Sequence, residues 1–192
     1  MVEELWLSIC SADRALADHS GRTAILAAAL GRAVHFSPIQ VIQVQIAARL
    51  HDIGKVEVER RLLDKPTRLS PVEMIEVARH PLIGFQMLTG LVDEEIAQAV
   101  LCHHERFDGR GYPVGLRNSE IPLTARVLSV ADAFDAMTSD RAYQHSQPVN
   151  QALQELRDHA GTQFDPDIVD AMHDLVVTSW QNGIPDWMEL TA

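Results

Sequence analysis

The residues of this sequence best suited to chemistry are histidines and aspartates that lie inside or at the ends of apolar segments. His51 and Asp52 end the segment VIQVQIAARLHD, and His103 and His104 end IAQAVLCHH. A polar pair in such a place is costly unless its polar atoms are satisfied. Imidazole and carboxylate groups together suit zinc, iron, manganese or nickel. We therefore predict a metal site with these candidate ligands: His19, His51, Asp52, His80, His103, His104 and Asp132.

An aspartate that directly follows a histidine, as Asp52 follows His51, is placed to bridge two ions. Two ions about 3.5–4 Å apart form the clamp that drives phosphoester hydrolysis. The more ordinary interpretation of a lone histidine is a hydrogen-bonded core or surface group, and Asp132 would then be a cap or an ion-pair partner. That interpretation would have to hold at several apolar helix ends at once. We keep it for four other histidines: His35, His145, His159 and His173.

The composition predicts one cytoplasmic domain that is built from helices packed on helices. The chain has 192 residues, of which 46% are hydrophobic and only 5% aromatic, and its formal net charge is −11. An acidic balance of this size argues against binding to a nucleic acid polymer. We expect no signal peptide, because the start has acidic residues where a signal peptide would carry basic ones, and no apolar run is long enough to span a bilayer. Two isolated cysteines make no disulfide framework, and we interpret Cys102 as a small buried hydrophobe.

Helix-start signals recur along the chain and predict where the elements lie. Ser37 and Ser70 are each followed by a proline and, three residues after the serine, by Gln40 or Glu73, which is the pattern of a capping box. The remaining predicted helices are 1–34 with a break near 11–13, one that begins around Pro81, 93–104, 122–138, a segment before Gly161 as its C-cap, and one from Asp165–Pro166 with Ile168, Met172, Leu175 and Val176 on one face.

A loop without helical period is predicted from about 105 to 121, directly after His103 and His104, and it contains the stretch ERFDGRGYPVGL. Gly109, Gly111 and Gly115 suit positive φ angles or a close approach of the backbone to a ligand. Pro113 stiffens the turn.

Five motifs in this order resemble the HD-GYP subfamily of the HD phosphohydrolase superfamily. They are LHDIGK (50–55), HPLIG (80–84), HHERFDGRGYP (103–113), VADAFDAMTSDRAY (130–143) and GTQFDP (161–166). The resemblance extends from about residue 13 to 176. It implies an all-α fold, the HD-domain helical bundle with additional C-terminal helices, as a single HD-GYP domain over 1–192. It also implies a bacterial cyclic di-GMP phosphodiesterase with a binuclear metal centre.

The resemblance also implies a role for each matching residue. One ion would be held by His19, His51, Asp52 and Asp132, and the second by the bridging Asp52 with His80, His103 and His104. The catalytic residues would be Asp52 and Lys55, with Lys55 facing the scissile phosphate. The substrate contacts would come from Lys55, Arg141, Gly111, Tyr112 and Pro113. A hydroxide activated by two divalent ions (Fe, Mn, Ni or Zn) would attack phosphorus and give linear pGpG, with GMP as a further product.

Departures from the family pattern make expectations specific to this chain. Members with a third ion carry a glutamate where this chain has Ala15, so we expect two ions. Ala142 and Gln144 stand where the family has a proline and a basic residue. Losing one charge-assisted hydrogen bond costs on the order of 1.5–3 kcal/mol, so we expect weaker or altered substrate binding. Arg141 is retained.

Two other functions fit the same residues. The first is an HD phosphohydrolase that acts on another nucleotide, such as a mixed cyclic dinucleotide. The second is a metal-containing module that binds nucleotide with little turnover and contacts diguanylate cyclases (GGDEF proteins) through the loop around Gly111. Leu5, Trp6 and Ile9 would serve either the core or a homodimer interface.

Overall fold

The protein is all-α in the parts of the chain that the computed structural model describes, residues 4–7, 11, 13–140 and 146–181. The helices are α1 (Arg14–Ala33), α2 (Pro38–Leu50), α3 (Arg60–Leu63), α4 (Pro71–Val77), α5 (His80–Leu88), α6 (Glu94–Cys102), α7 (Leu123–Thr138), α8 (Val149–Asp158) and α9 (Pro166–Gln181). Two 3-10 helices span Ile53–Glu57 and Asn118–Glu120. The described ranges contain no sheet, only an isolated bridge between Ala160 and Phe164. The all-α prediction is confirmed.

The predicted capping boxes are present at α2 and α4. At α2 the Gln40 N–H donates to the Ser37 hydroxyl at 3.4 Å, and the Ser37 N–H donates to the Gln40 side chain at 3.0 Å. Ser70 and Glu73 repeat the arrangement at α4. The break expected near 11–13 is the start of α1, where the Asp13 carboxylate accepts the Leu16 N–H at 3.1 Å. Satisfying these first-turn N–H groups is what sets each helix start.

Gly161 is not the C-cap of α8, so this prediction was wrong. The helix ends at Asp158 and His159 is its C-cap. Gly161 has a φ of 75° and belongs to the next turn, in which its N–H donates to the Phe164 carbonyl at 2.9 Å. The positive φ explains why position 161 is a glycine. This position lies two residues after His159, the C-cap.

The core lies between α1, α2 and α7, with α6 and α9 packed around them. Leu30, Leu50, Leu128 and Met172 are among the largest fully buried side chains. Leu5 and Trp6 pack against this core, whereas Ile9 lies outside the described residues. Among the helices of the described ranges, none combines the length and the apolar character that crossing a bilayer requires.

One close contact brings the segment after α2 against α5. A Cβ atom at Gly54 would lie 2.1 Å from the His80 carbonyl oxygen and 2.7 Å from the Gly84 nitrogen. Only glycine permits this approach of two backbones. As a result, Asp52 at the end of α2 lies beside His80 at the start of α5, although 28 residues separate them in sequence.

Candidate metal centre

Three buried histidines are oriented in the same way, each by the turn of helix that precedes it. The Nδ1–H of each ring donates to the backbone carbonyl three residues earlier: His51 to Ala48 at 2.8 Å, His80 to Val77 at 2.8 Å, and His103 to Val100 at 2.7 Å. A carbonyl oxygen only accepts, so the proton must be on Nδ1. In the neutral ring this leaves a lone pair on Nε2.

His19 is oriented in the same sense by a carboxylate. Its Nδ1 lies 2.6 Å from Asp135 Oδ2, and Arg22 donates to the same carboxylate from Nε at 2.8 Å and from Nη2 at 3.1 Å. Burial alone would raise the pKa of Asp135, but the bonds from His19 and Arg22 outweigh it and lower that pKa. The ionised Asp135 therefore accepts the Nδ1 proton, and the His19 lone pair is on Nε2.

The Nε2 atoms of these rings point at other acceptors. His19 Nε2 lies 3.0 Å from Asp132 Oδ1, and His51 Nε2 lies 3.3 Å from Asp52 Oδ2. His80 Nε2 lies 3.2 Å from Asp52 Oδ1 and 3.4 Å from His103 Nε2. In the neutral tautomers no proton stands between any of these pairs. Lone pairs that face each other in a buried place are unfavourable unless a cation lies between them.

Asp52 is at the centre of this arrangement. Its side chain is 2% exposed, and its Oδ1 has no hydrogen-bond partner. Desolvation alone would raise the pKa of Asp52, but His51 and Lys55 beside it hold that pKa well below the ordinary value. A buried, ionised carboxylate oxygen without a hydrogen-bond partner is unfavourable unless a cation binds it. The residues present therefore fit a metal ion.

The candidate ligands form two groups. Potential ligand atoms of His19, His51 and Asp52 lie within 4.8 Å of one another, and the same holds for those of His80, His103 and His104. Asp52 belongs to the first group and faces the second, with Oδ2 toward His51 and Oδ1 toward His80. Asp132 Oδ1 approaches His19 and, at 3.7 Å, His51. The structure thus brings together all seven residues that the sequence suggested.

Two histidines of the second group, His103 and His104, are held in their neutral form. Burial, followed by the neighbouring His104, keeps the pKa of His103 well below its usual value. Burial likewise lowers the pKa of His104 to about 4. Asp132 behaves in the opposite way, because its contacts with His19 and His51 outweigh burial and lower its pKa. At neutral pH His103 and His104 are therefore neutral while Asp52 and Asp132 are ionised, and these are the protonation states that bind metal.

Lys55 lies at the rim of the cluster. Its Nζ donates to Asp52 Oδ2 at 2.6 Å, and its side chain is 24% exposed. The 3-10 helix Ile53–Glu57 places it three residues after Asp52. An ammonium group in this position is available to a ligand that approaches the carboxylates from solvent.

The loop after α6 folds back over the second group. The Tyr112 ring stacks on the His104 ring with centroids 4.9 Å apart, and the Tyr112 N–H donates to the His104 carbonyl at 3.2 Å. Gly109 and Gly115 have φ angles of 80° and 83°, and a Cβ at Gly111 would lie 2.3 Å from the Arg106 nitrogen. Positive φ angles are therefore confirmed at Gly109 and Gly115. Gly111 approaches the backbone of its own loop, and its predicted approach to a ligand stays a prediction.

The remaining residues singled out in the sequence either lie away from the candidate ligands or lie outside the described residues. Cys102 is buried, and burial together with Glu105 raises its thiol pKa to about 12, so it stays a thiol. His159 is exposed and donates to the Glu155 carbonyl. The residues of the VADAFDAMTSDRAY motif from Arg141 onward, together with Gln144 and His145, lie outside the described residues.

Two functional candidates were missed at the sequence level. Asp135 lies one helical turn after Asp132 in α7, and a second aspartate at i+3 on an apolar helix was the available signal. Glu105 is only 3% exposed, and it accepts the N–H groups of Val114 and Gly115 at 2.7 and 3.0 Å. Glu105 is part of the HHERFDGRGYP motif, which was the available signal, but no role was assigned to it from the sequence.

Comparison with known proteins gives consistent results. The model of the HD domain family matches residues 8–168. The chain is 38% identical over 156 residues to a cyclic di-GMP phosphodiesterase of Thermotoga maritima, which covers 80% of this chain and 42% of that protein. It is 44% identical over 132 residues to the cyclic di-GMP phosphodiesterase response regulator RpfG of Xanthomonas campestris, covering 67% and 35%. A 3′3′-cGAMP-specific phosphodiesterase of Vibrio cholerae is 36% identical over 157 residues, covering 81% and 34%.

Solved structures share the fold. Bd1817, an HD-GYP-type protein from Bdellovibrio bacteriovorus, superposes with a TM-score of 0.70 at 23% identity, over 84% of this chain and 52% of that one. A cyclic GMP-AMP phosphodiesterase of V. cholerae superposes with a TM-score of 0.67 at 21% identity, over 91% and 46%. The chain spans less than half the length of the three relatives given above.

Proposed function

The chain belongs to the HD domain family, and from that premise we propose that it is a metal-dependent phosphodiesterase that hydrolyses cyclic di-GMP to linear pGpG. One observation carries the proposal. Four imidazole lone pairs and two ionised carboxylates converge on one buried place, and Asp52 faces both groups of ligands. The relatives named as cyclic di-GMP phosphodiesterases support the choice of reaction and substrate.

We infer a site for two ions that share Asp52. The first would be held by His19, His51, Asp52 and Asp132, and the second by Asp52, His80, His103 and His104. A mixed imidazole and carboxylate set accepts iron, manganese, nickel or zinc. Two bound divalent ions polarise the non-bridging oxygens of a phosphodiester and lower the pKa of a water molecule. Ala15 offers no ligand atom for a third ion.

The chain's own residues supply orientation. Hydrogen bonds from Nδ1 fix the rings of His51, His80 and His103, and Asp135 does the same for His19. Such partners raise the basicity of the opposite nitrogen and prevent the ring from turning. The positions of the ligand atoms are therefore set before any ion or substrate binds.

Lys55 and Tyr112 are the described residues that would meet the substrate. The Lys55 ammonium, held by Asp52 at the rim, would bind a phosphate oxygen and stabilise the charge that develops there during hydrolysis. The Tyr112 ring, with Gly111 and Pro113 on either side, forms a wall beside His104. Arg141 remains a proposed guanine or phosphate contact. The exposed Pro113 and Val114 are the proposed contact for a diguanylate cyclase.

The decisive experiment is a hydrolysis assay of the purified protein with Mn²⁺ or, anaerobically, Fe²⁺. Cyclic di-GMP should be converted to pGpG by the wild type and not by Asp52→Ala, with GMP scored as a further product. His159→Ala is the matched control, because His159 is an exposed histidine that also donates to a helix carbonyl. Absence of turnover with every metal would overturn the proposal, and binding without turnover would identify a nucleotide-binding module instead.

The identity of the substrate should be tested with several cyclic dinucleotides, because the names of some relatives favour 3′3′-cGAMP as a second candidate. Relatives in V. cholerae at 36% and 31% identity are named as 3′3′-cGAMP-specific phosphodiesterases. Cyclic di-GMP, 3′3′-cGAMP and cyclic di-AMP should therefore be compared by kcat/KM. A higher value for 3′3′-cGAMP would reassign the substrate while leaving the metal chemistry as proposed.

A further inference from the structure

We propose that Glu105 is a positioning residue that holds Tyr112 over His104 and so maintains the substrate-facing wall of the site. The proposal rests on the proposed function, which gives that wall its substrate. Glu105 directly follows the candidate ligands His103 and His104. Its carboxylate nevertheless forms hydrogen bonds with the backbone of the loop that follows.

The Glu105 carboxylate is committed to the backbone of its own loop. Oε1 accepts the Val114 N–H at 2.7 Å and the Gly115 N–H at 3.0 Å, and Oε2 accepts the Gly115 N–H at 3.1 Å. The residue is 3% exposed, and no arginine or lysine donor to its carboxylate is observed among the described residues. A buried carboxylate that relies on backbone N–H groups is strongly coupled to their positions.

These bonds close the loop immediately after Tyr112. On one side of the ring the Tyr112 N–H donates to the His104 carbonyl, and on the other side Val114 and Gly115 are fixed to Glu105. The chain between the two attachments contains only Tyr112 and Pro113. The stacking of the Tyr112 ring on His104 at 4.9 Å thus follows from two attachments that both begin at the end of α6.

Independent contacts hold the rest of the loop. Phe107 and Asp108 donate their N–H groups to the carbonyls of Gln163 and Thr162 at 3.1 and 2.8 Å, and Asn118 donates to the Phe107 carbonyl at 3.0 Å. Without the Glu105 carboxylate the loop therefore keeps its outer part. The stretch around Val114 loses its attachment, so the effect of a substitution is confined to the wall.

The test uses Glu105→Gln, which keeps the volume of the side chain but replaces one acceptor oxygen by an amide donor. Glu94→Gln is the matched control, because Glu94 is exposed at the start of α6, the helix that precedes Glu105. Tyr112→Ala and the double variant complete a mutant cycle. Three quantities are measured: bound metal per chain, the amide hydrogen exchange of the peptide that covers 113–117, and kcat and KM for the cyclic dinucleotide.

We expect amide hydrogen exchange of the 113–117 peptide to accelerate about tenfold or more in Glu105→Gln, because the substitution removes roughly one charge-assisted hydrogen bond. KM should rise by a similar factor while kcat changes less than about twofold and the metal content stays that of the wild type. The double variant should have the KM of Tyr112→Ala alone, because both changes remove the same wall.

Unchanged exchange, multiplicative effects on KM in the double variant, or loss of metal from Glu105→Gln would each overturn the proposal. The last outcome would assign Glu105 to the metal centre instead. Failure of the proposed function is distinguishable, because it shows as absent turnover in the wild type. The exchange and metal measurements still decide the role of Glu105 in that case, since neither requires a substrate.

Discussion

His19 and Asp135 are joined by a 2.6 Å hydrogen bond between residues that are 116 positions apart in the sequence. The bond connects α1 to α7 and holds the His19 ring so that Nε2 faces Asp132. The same Asp135 carboxylate also accepts a hydrogen bond from Arg22, which neutralises its charge. The candidate metal centre is therefore supported by the Arg22–Asp135 ion pair, which contacts it through the candidate ligand His19.

Substitution of Asp135 by asparagine should weaken metal binding without removing a ligand. The His19 ring would lose its ionised partner, and loss of such a supporting group typically lowers metal affinity about 10–100-fold. Competition with a chromogenic chelator measures the affinity. Asp170→Asn, an exposed aspartate in α9, is the control and should leave the affinity unchanged. Equal affinities for Asp135→Asn and wild type would contradict the supporting role.

The stoichiometry of bound metal should distinguish the shared ligand from the others. We expect about two ions per chain in the wild type, none in Asp52→Ala and one in Asp132→Ala. The reason is that Asp52 faces both groups of ligands, whereas Asp132 contacts His19 and His51 only. Elemental analysis by mass spectrometry gives the count. Three ions in the wild type would contradict the inference drawn from Ala15.

Replacement of Lys55 by methionine should reduce turnover much more than metal binding. The ammonium is the described cation in contact with Asp52 at the rim, and losing one electrostatic contact of this kind costs roughly 10²–10³-fold in kcat. Lys65→Met is the control, because Lys65 pairs with Glu73 and contacts no candidate ligand. A full rate in Lys55→Met would exclude Lys55 from the reaction.

The chelator-treated protein should lose stability as the pH falls from about 6.5 toward 4. His104 has a folded pKa of about 4, so the unfolded chain takes up a proton on this residue first and acid favours unfolding. The lowered pKa values of Asp52 and Asp132 act in the same direction at still lower pH, because the unfolded chain again binds protons more readily. Each pKa unit is worth about 1.4 kcal/mol.

Urea unfolding at pH 5 and pH 7 measures this dependence. His104→Gln should unfold with a smaller difference between the two pH values than the wild type, because it lacks one of the groups that take up protons. His173→Gln is the matched control for a partly exposed histidine outside the cluster. If the wild type and His104→Gln show the same difference in unfolding free energy between the two pH values, His104 does not contribute to the pH dependence of stability.

A methyl group at Gly111 should disrupt the loop although the change is small. The added Cβ would lie 2.3 Å from the Arg106 nitrogen and 2.5 Å from the Glu105 Cα, which are backbone atoms that cannot move aside. We expect about 1–3 kcal/mol of lost stability and an increase in KM. Gly21→Ala has nothing within 4 Å of the new methyl and should be neutral or slightly stabilising, so thermal unfolding of the pair checks the claim.

The sequence predicted the elements that depend on local signals. Ser37 and Ser70 cap their helices as expected because an N-cap is decided by residues three positions apart. Gly161 was misplaced by two residues, since the end of α8 depends on the turn that follows it. The grouping of the ligand residues followed from their motifs and was not derivable from spacing alone.

Contacts between distant segments were beyond prediction. Asp135 pairs with a residue in another helix, and the role of Glu105 depends on a loop returning to its own start. The sequence does not show which partner either carboxylate has, because both pairings arise from packing. The orientation of the three buried histidines was equally hidden, since it depends on the carbonyl geometry of the last helical turn.

The carbonyls of Ala48, Val77 and Val100 belong to the last turns of α2, α4 and α6, where backbone oxygens have no partner within the helix. Each of these three candidate ligand histidines thus also donates a hydrogen bond to a carbonyl at the end of the helix before it. The side chain of an ionised aspartate or a cysteine thiolate could bind a metal, but it has no N–H that could also donate to the helix carbonyl. Ligand replacement by evolution or design should accordingly be tolerated at His19, whose partner is the Asp135 side chain, and resisted at the three helix ends.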